Sequence, residues 1–225
     1  MYQIIADETD FLVIDKSANV HFHSQDGQAG VMAQLELDLG IKLYSVHRLD
    51  TMTSGLLLFA KSSAAAATFT AMFSAHQVQK YYLALAQGKP KKKQGAIIGD
   101  MAKSRRSMYK LLRSKENPAI TQFFSLSVAQ GLRLYLLKPL SGKTHQLRVA
   151  LASIGVPILG DSLYGGAASD RGYLHAYALQ FEYQDKPFRF SSTPSLGEQF
   201  AMPEVKNGLQ SWGEPEKLDW PKAKK

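Results

Sequence analysis

Residues 46–61, VHRLDTMTSGLLLFAK, place charged side chains directly before an apolar run. His47, Arg48 and Asp50 come first, a turn-forming Ser-Gly pair follows, and an apolar run comes after it. The apolar run has the length and the flanks of a buried strand. Asp50 is therefore predicted to lie on a loop that leads into the core, where a rigid scaffold can hold a reactive side chain.

Two arginines could attend the Asp50 carboxylate: Arg48, which is close in sequence, and Arg148, which lies on a later predicted helix. An arginine partner favours the ionised form of a carboxylate, and an ionised carboxylate can act as a nucleophile. The same pattern also describes an ordinary structural ion pair, and loop aspartates commonly form turns or cap helices. The spacing alone leaves these alternatives open.

Several other chemistries lack the residues they need. The chain has no cysteine, which excludes disulfides, thiolate zinc sites and cysteine nucleophiles. SGKT at residues 141–144 does not form a phosphate-binding loop, because the position where that motif requires glycine holds Leu137. The histidines show no metal-ligand spacing on a predicted helix, and no Gly-x-Ser-x-Gly elbow marks a serine nucleophile. We therefore expect neither a metal nor a cofactor.

Basic residues are concentrated in one part of the chain. Lys and Arg number 27 and Asp and Glu 19, which gives a net charge of +8. Between residues 89 and 115 Asp100 is the only acid, and the basic residues are Lys89, Lys91, Lys92, Lys93, Lys103, Arg105, Arg106, Lys110, Arg113 and Lys115. This pattern predicts a surface that binds a polyanion, although a solvated loop is the alternative. The arginines and Tyr109 favour RNA, because planar groups can stack on bases.

The residues around these side chains predict alternating strands and helices. Apolar patterns predict strands at residues 3–6, 11–15, 56–60, 80–86, 120–128, 132–139, 174–183 and 187–192. Helical spacing predicts helices at residues 27–39, 62–77 and 141–155. This order of elements indicates an α+β fold with a mixed or largely antiparallel sheet. From Pro203 the composition becomes polar, so we expect one domain over residues 1–202 and a loosely ordered tail over residues 203–225.

The chain shows no sign of leaving the cytoplasm. It contains no apolar run of about 18 residues, which a membrane-spanning helix would need. The first residues, MYQIIADETDFLVIDK, carry early acids and lack the basic start of a secretory signal. Together with the absence of cysteine, this predicts a cytoplasmic protein with no membrane partner.

Four blocks of the sequence resemble the RluA-type pseudouridine synthases. HRLDTMTSGLLLFAK resembles the family's signature, and the other blocks follow in the family's order: QKYYLALAQG (79–88), KPLSGKTHQLRVALASIGVPILGDSLYGG (138–166) and YLHAYALQFEY (173–183). The resemblance covers about residues 10–200. It implies the family's α+β catalytic fold, in which helices flank a long mixed or antiparallel sheet with a central active-site cleft.

The resemblance also implies a reaction and the residues that perform it. The protein is expected to isomerise uridine in rRNA or tRNA to pseudouridine, as a monomer, after flipping the base out of its stack. Asp50 is the expected nucleophile, at either C1′ of the sugar or C6 of the uracil. Tyr82 is expected to stack on the flipped base, and Arg148 to pair with Asp50. Arg48 is expected to fill the place in the stack that the flipped base leaves. The other expected substrate-binding residues are His47, Lys143, Lys91, Lys92, Lys93, Arg105 and Arg106.

Each of these assignments has an alternative. Tyr82 could be a core aromatic residue, Arg148 a charge at a helix end, and His47 a residue that makes a structural hydrogen bond. The whole chain could be an RNA-binding protein without catalytic activity, or a basic protein associated with the ribosome. The sequence also departs from the family: DKSANV keeps Lys16 but lacks the usual Pro and Gly, and Lys143 stands where arginine is usual. The resemblance begins near residue 10, so we expect no preceding S4 RNA-binding domain.

Overall fold

The computed structural model of the protein describes residues 1–25, 27–105 and 107–223. The strands are β1 (Tyr2–Asp7), β2 (Phe11–Lys16), β3 (Tyr44–Ser45), β4 (Ser54–Ala60), β5 (Gln79–Gln87), β6 (Gln94–Gly99), β7 (Met101–Lys103), β8 (Tyr109–Leu111), β9 (Ala119–Ala129), β10 (Leu132–Pro139), β11 (Leu174–Tyr183) and β12 (Lys186–Ser191). The helices are α1 (Val31–Leu39), α2 (Ser63–Ser74), α3 (Gln146–Ser153) and α4 (Pro203–Trp212), with short 3₁₀ helices at Ser162–Tyr164 and Pro215–Lys217.

These elements divide into two units. The first consists of Met1–Lys80 and His175–Thr193, and the second of Tyr81–Leu174 and Pro194–Lys225. Each unit has its own strands and helices. Among the described residues, none of the helices is long and apolar enough to cross a membrane.

The first unit contains a mixed sheet. Its strands follow the order β1, β2, β4 and β11, with β12 paired to β11 and β3 paired to β4. All of these pairs are antiparallel except β4 with β11, which is parallel and places His175 opposite Ser54. The predicted α+β class and its mixed sheet are confirmed.

Strand β4 lies in the core, as its apolar run predicts. Residues 56–60 are fully buried, which is usual for a strand that is covered on both faces. The Ser-Gly pair belongs to the strand itself rather than to a turn before it. Gly55 has φ 106°, and a Cβ atom there would lie 2.3 Å from the backbone oxygen of Ala176. Glycine is therefore needed where β4 approaches β11.

Helix α2 covers the core of the first unit. The Ser62 side chain caps it by accepting a hydrogen bond from the backbone N–H of Ala65. Phe69 and Met72 are buried, as the helical spacing predicts, and Phe69 contacts Phe11 at 5.4 Å between ring centroids.

The second unit contains an antiparallel sheet in the order β5, β10, β9 and β6, and a separate hairpin of β7 and β8. Helix α3 begins at Gln146, later than the predicted start at residue 141. The residue before it, His145, has φ 56°, so the chain enters the helix only after this left-handed position.

The C-terminal segment differs from the expected loose tail. Residues Pro203–Trp212 form α4, which begins with Pro203 and buries Val205 and Gly208. After it, Trp220 packs against Phe124 at 4.9 Å, and the carbonyl of Pro221 accepts a 2.6 Å hydrogen bond from the Gln122 side chain. Pro194–Lys225 is grouped with the second unit, and the predicted domain boundary at residue 202 stays a prediction.

Candidate active site

In the first unit, Asp50 lies on a loop whose backbone is held in place. Thr53 donates a backbone hydrogen bond of 3.0 Å to the carbonyl of Asp50, which closes a turn. The fully buried Lys16 donates through Nζ to the carbonyl of Thr51 at 3.3 Å, and also to those of Ser17 and Val20 at 2.8 and 2.9 Å. One ammonium group therefore joins the residue after Asp50 to the end of β2. The Asp50 side chain itself is partly exposed.

A buried hydrogen-bond chain fixes the start of β4, just after the Asp50 loop. His175 Nε2 lies 2.7 Å from the carbonyl oxygen of Ser192, which can only accept, so this nitrogen carries a hydrogen. In a neutral imidazole Nδ1 then accepts, and the Ser54 hydroxyl donates to it at 2.7 Å. The Ser192 hydroxyl in turn donates to Asp15. Because Ser54 is buried, this serine–histidine pair holds strands together rather than presenting a nucleophile.

His47 has structural partners in the first unit. Its Nε2 accepts a 2.9 Å hydrogen bond from the backbone N–H of Leu58, and its ring stacks on Phe73 at 4.5 Å. Burial, and secondly the nearby charge of Lys80, lower the pKa of His47 to about 3. The imidazole is therefore neutral, which favours the structural alternative, and its contact with substrate stays a prediction. The next residue, Arg48, is exposed.

In the second unit, Tyr82 lies on β5 opposite Leu137 of β10. Its neighbour Tyr81 points to the other face of the strand, where it is 1% exposed and packs against Trp220. Tyr82 is only partly buried. The core aromatic residue of this pair is therefore Tyr81, which weakens the alternative that Tyr82 is a core aromatic residue.

Arg148 lies on α3 and is buried with a carboxylate partner. Its Nε and one Nη donate to the two carboxylate oxygens of Asp161 at 2.7 and 2.8 Å, so the pair is bidentate. The guanidinium also lies 5.0 Å from the centre of the Tyr164 ring. Arg148 is therefore not a solvated charge at a helix end. Asp161 was not predicted as a site residue, although it lies in the third block, in GDSLYGG.

The predicted pairing of Arg148 with Asp50 stays a prediction, because the two residues belong to different units. The predicted central cleft stays a prediction for the same reason. A guanidinium has more N–H donors than a bidentate pair uses, so the ion pair with Asp161 is compatible with a second acceptor.

The basic residues of the second unit lie on its surface. Lys91, Lys92 and Lys93 are exposed in the loop between β5 and β6, and Arg105 is exposed at the end of the β7–β8 hairpin. Arg106, a predicted substrate-binding residue, lies outside the described residues.

Lys143 and Asp100 organise the end of this basic segment. Lys143 is partly buried, and its Nζ donates to the side chain of Asn117 at 3.0 Å. Asp100 accepts from the backbone N–H groups of Glu116 and Asn117, and hydrogen bonds, chiefly from Ser114, lower the pKa of its carboxyl. The single acid of the segment thus shapes its backbone.

The part of the chain that the structure describes holds no group of His, Asp and Glu side chains arranged to bind a metal ion. The absence of a metal and of a cofactor from the reaction stays a prediction.

Comparison with known proteins identifies the family. The family model described as RNA pseudouridylate synthase matches residues 10–153. An uncharacterized RNA pseudouridine synthase of Haemophilus influenzae is 46% identical over 211 residues, which cover 92% of this chain and 94% of the relative. The ribosomal large subunit pseudouridine synthase C of Rickettsia bellii is 34% identical over 72% of this chain and 56% of its own length.

A solved structure agrees with these sequence matches. The human RNA pseudouridylate synthase domain containing 1 superposes with a TM-score of 0.76 at 25% identity, over 94% of both chains. The family predicted from the ordered sequence blocks is thereby confirmed: the chain belongs to the RNA pseudouridine synthases, which are isomerases.

Proposed function

We propose that this protein isomerises one or more uridines of ribosomal or transfer RNA to pseudouridine, with Asp50 as the nucleophile. The observation that carries the proposal is the Asp50 loop itself, in which the buried Lys16 holds the residue next to a partly exposed carboxylate. A nucleophile must be presented to substrate on a backbone that does not move away from it. This loop meets that requirement.

The reaction rearranges bonds within one nucleoside. The bond between uracil N1 and sugar C1′ breaks, the base turns, and C5 forms a new bond to the same C1′. C5 then loses its hydrogen as a proton, and N1 gains a proton. No atom is added from another molecule and nothing is oxidised or reduced, so the proposed reaction requires neither a metal nor a cofactor.

In this proposal the Asp50 carboxylate forms a covalent intermediate, which divides one difficult step into two. Attack at C1′ of the sugar and attack at C6 of the uracil are both compatible with its position. By resemblance to the family, Arg148 keeps the carboxylate ionised and oriented. The bidentate pair with Asp161 supports this role, because it holds the guanidinium in one orientation.

The target uridine must leave its stack before a side chain can reach it. We propose that Arg48 takes the vacated place and that Tyr82 stacks on the flipped uracil. The exposure of Arg48 and the partial exposure of Tyr82 support these roles. Base–aromatic stacking contributes about 1–3 kcal/mol, which is comparable to the cost of unstacking a base.

RNA phosphates are proposed to contact the basic residues of the second unit: Lys91, Lys92, Lys93, Arg105, Arg106 and Lys143. The exposure of the three lysines and of Arg105 supports this assignment. Between the two RNA classes, the name of the Rickettsia relative, a ribosomal large subunit pseudouridine synthase, makes ribosomal RNA the first to test.

Tritium release from RNA labelled at uridine C5 tests the proposal, because C5 loses its hydrogen only when the new bond has formed there. Unmodified rRNA and tRNA transcripts are assayed separately. The native protein should release tritium, and Asp50→Asn should bind RNA normally but release none. Asp185→Asn is the matched control, because Asp185 is exposed in the turn between β11 and β12, where asparagine is also tolerated.

Normal release by Asp50→Asn would remove Asp50 from the mechanism. If neither protein releases tritium and both bind RNA, the chain is an RNA-binding protein without this activity on the tested transcripts.

A further inference from the structure

Tyr164 ends the 3₁₀ helix that follows Asp161, and its hydroxyl joins two other elements of the second unit. The backbone N–H of Tyr109, at the start of β8, donates to this hydroxyl oxygen at 2.9 Å. Nδ1 of His145, directly before α3, lies 2.9 Å from the same oxygen. One hydroxyl group therefore connects the β7–β8 hairpin to the beginning of α3.

The direction of the first of these hydrogen bonds follows from its donor. The Tyr109 N–H can only donate, so the Tyr164 oxygen accepts it. The tautomer of His145 determines which partner donates in the second hydrogen bond. Replacing the hydroxyl with hydrogen would break both connections and leave the ring in place.

His145 occupies a backbone position that needs support. Its φ of 56° is uncommon for a residue other than glycine and costs free energy. The rings of Tyr109 and Tyr164 each meet the imidazole edge to face, with centroids 5.7 Å away. These contacts hold the position from which α3, and therefore Arg148, extends.

The ring of Tyr164 has a different partner from its hydroxyl. The Arg148 guanidinium lies 5.0 Å from the ring centre. The same guanidinium is paired with Asp161, which comes three residues before Tyr164. Gly166 makes this arrangement possible, because a Cβ atom there would lie 2.0 Å from the carbonyl oxygen of Ile158. The turn thus presents Asp161 and Tyr164 to the same arginine.

The β7–β8 hairpin depends on such an attachment. Within the described residues, β7 and β8 pair with each other and with no other strand. A two-stranded hairpin is marginally stable on its own in water. Its exposed side chains include Lys103, Arg105 and Lys110, so RNA phosphates would meet a hairpin that is attached at Tyr109, next to its turn.

We propose that Tyr164 is a positioning residue that couples RNA contact at the β7–β8 hairpin to the orientation of Arg148. The inference rests on the proposed function, because it assigns RNA to the hairpin and a role in the reaction to Arg148. RNA that fixes the hairpin also fixes the Tyr164 hydroxyl, and through His145 it fixes the start of α3. By linkage, a well-placed α3 in turn favours the RNA-binding position of the hairpin.

Tyr164→Phe tests the coupling, with Tyr183→Phe as the matched control. Tyr183 also donates its hydroxyl to a side chain, that of Asp10 at 3.1 Å, but in the first unit. In Tyr164→Phe, hydrogen–deuterium exchange of residues 101–111 should rise, and RNA should bind about two- to ten-fold more weakly, the range for losing the one hydrogen bond that joins the hydroxyl to the hairpin. The single-turnover rate at saturating RNA should also fall. In Tyr183→Phe none of these should change.

Three results would overturn the proposal. The first is unchanged exchange in residues 101–111. The second is faster exchange with an unchanged saturating rate, because the hydroxyl would then hold the hairpin without positioning Arg148. The third is faster exchange throughout β9 and β10, which would make the hydroxyl a general stabiliser. If the native protein releases no tritium, the proposed function fails, whereas exchange in residues 101–111 still decides whether the hydroxyl holds the hairpin.

Discussion

At the scale of single residues, His47 shows how burial decides the role of a side chain. The signature places it next to Arg48 and close to Asp50, where its type fits acid–base chemistry. Its Nε2 accepts from the Leu58 backbone, and its pKa of about 3 keeps the ring neutral at every pH where the enzyme would work. The imidazole thus contributes to the conformation of the signature loop.

The pKa of His47 predicts a pH dependence of stability. Between its ordinary value of 6.5 and about 3, the unfolded chain binds a proton at this residue and the folded chain does not. The stability that the neutral His47 imidazole contributes to the fold is therefore present above pH 6.5 and is lost as the pH falls towards 3. In His47→Gln, the free energy of unfolding should depend less steeply on pH in this window, by at most about 1.4 kcal/mol per pH unit.

Urea unfolding between pH 4 and pH 7, at about half-unit steps, measures this slope. His23→Gln is the control, because it makes the same replacement at an exposed histidine. Equal slopes in the two variants would show that His47 titrates normally in the folded protein.

The remaining site residues differ in how far the sequence could reveal them. Asp50, Tyr82 and Arg148 were predicted because they stand at fixed places in ordered blocks. Asp161 and Tyr164 lie in the same third block, but their roles depend on a turn that brings them to Arg148. Neither periodicity nor composition encodes such a turn, so their contacts could be read only from the structure.

At the scale of elements, the junction of β4 with β11 depends on one glycine. Gly55→Ala would place a methyl group 2.3 Å from the Ala176 carbonyl oxygen at a φ of 106°. Because both the backbone conformation and the space exclude a Cβ atom, we expect a loss of stability of at least ~2 kcal/mol. Thermal or urea unfolding of the two proteins measures it.

Gly95→Ala in β6 is the matched control for this substitution. Its φ is not in the left-handed region, and the nearest atom to an added Cβ would be a carbon of Phe123 at 3.5 Å, an ordinary contact. A loss of stability in Gly55→Ala no larger than in Gly95→Ala would show that β4 and β11 can separate without cost.

The sequence predicted long apolar elements better than short polar ones. The apolar run of β4 and the burial of Phe69 and Met72 on α2 were predicted correctly, because burial imposes a periodic pattern. Phe73 is only partly buried, and His76, which was predicted on the same stripe, is exposed beyond the end of the helix. The β7–β8 hairpin was not predicted, since each strand has three residues and basic side chains interrupt the apolar pattern. The start of α3 was placed too early because the left-handed conformation of His145 leaves no mark in the composition.

At the scale of the whole molecule, the C-terminal segment shows where composition misleads. A stretch rich in Pro, Lys and Glu predicts little order. Its few apolar residues nevertheless face inward: Val205 is 2% exposed, and Trp220 packs on Phe124. Pro203 reads as a helix breaker but begins α4, where a missing N–H has no cost. A small number of well-placed contacts is therefore enough to attach this segment to the second unit.

The distribution of charge predicts how the whole molecule meets RNA. Lysines that contact phosphates release bound counterions, so each contact steepens the dependence of affinity on salt. Neutralising Lys91, Lys92 and Lys93 to glutamine should weaken RNA binding and reduce the slope of log affinity against log salt, by about 0.7–0.9 per lost phosphate contact. Dissociation constants measured at several salt concentrations give this slope.

A control with the same change in net charge separates contact from general attraction. Lys186, Lys206 and Lys222 are exposed and lie outside residues 89–115. Replacing them with glutamine lowers the net charge equally, so any effect of long-range attraction should appear in both triple variants. A smaller slope in the first variant alone would place phosphates at residues 91–93. An equal effect in both would mean that RNA is attracted by the charge of the molecule and does not touch this loop.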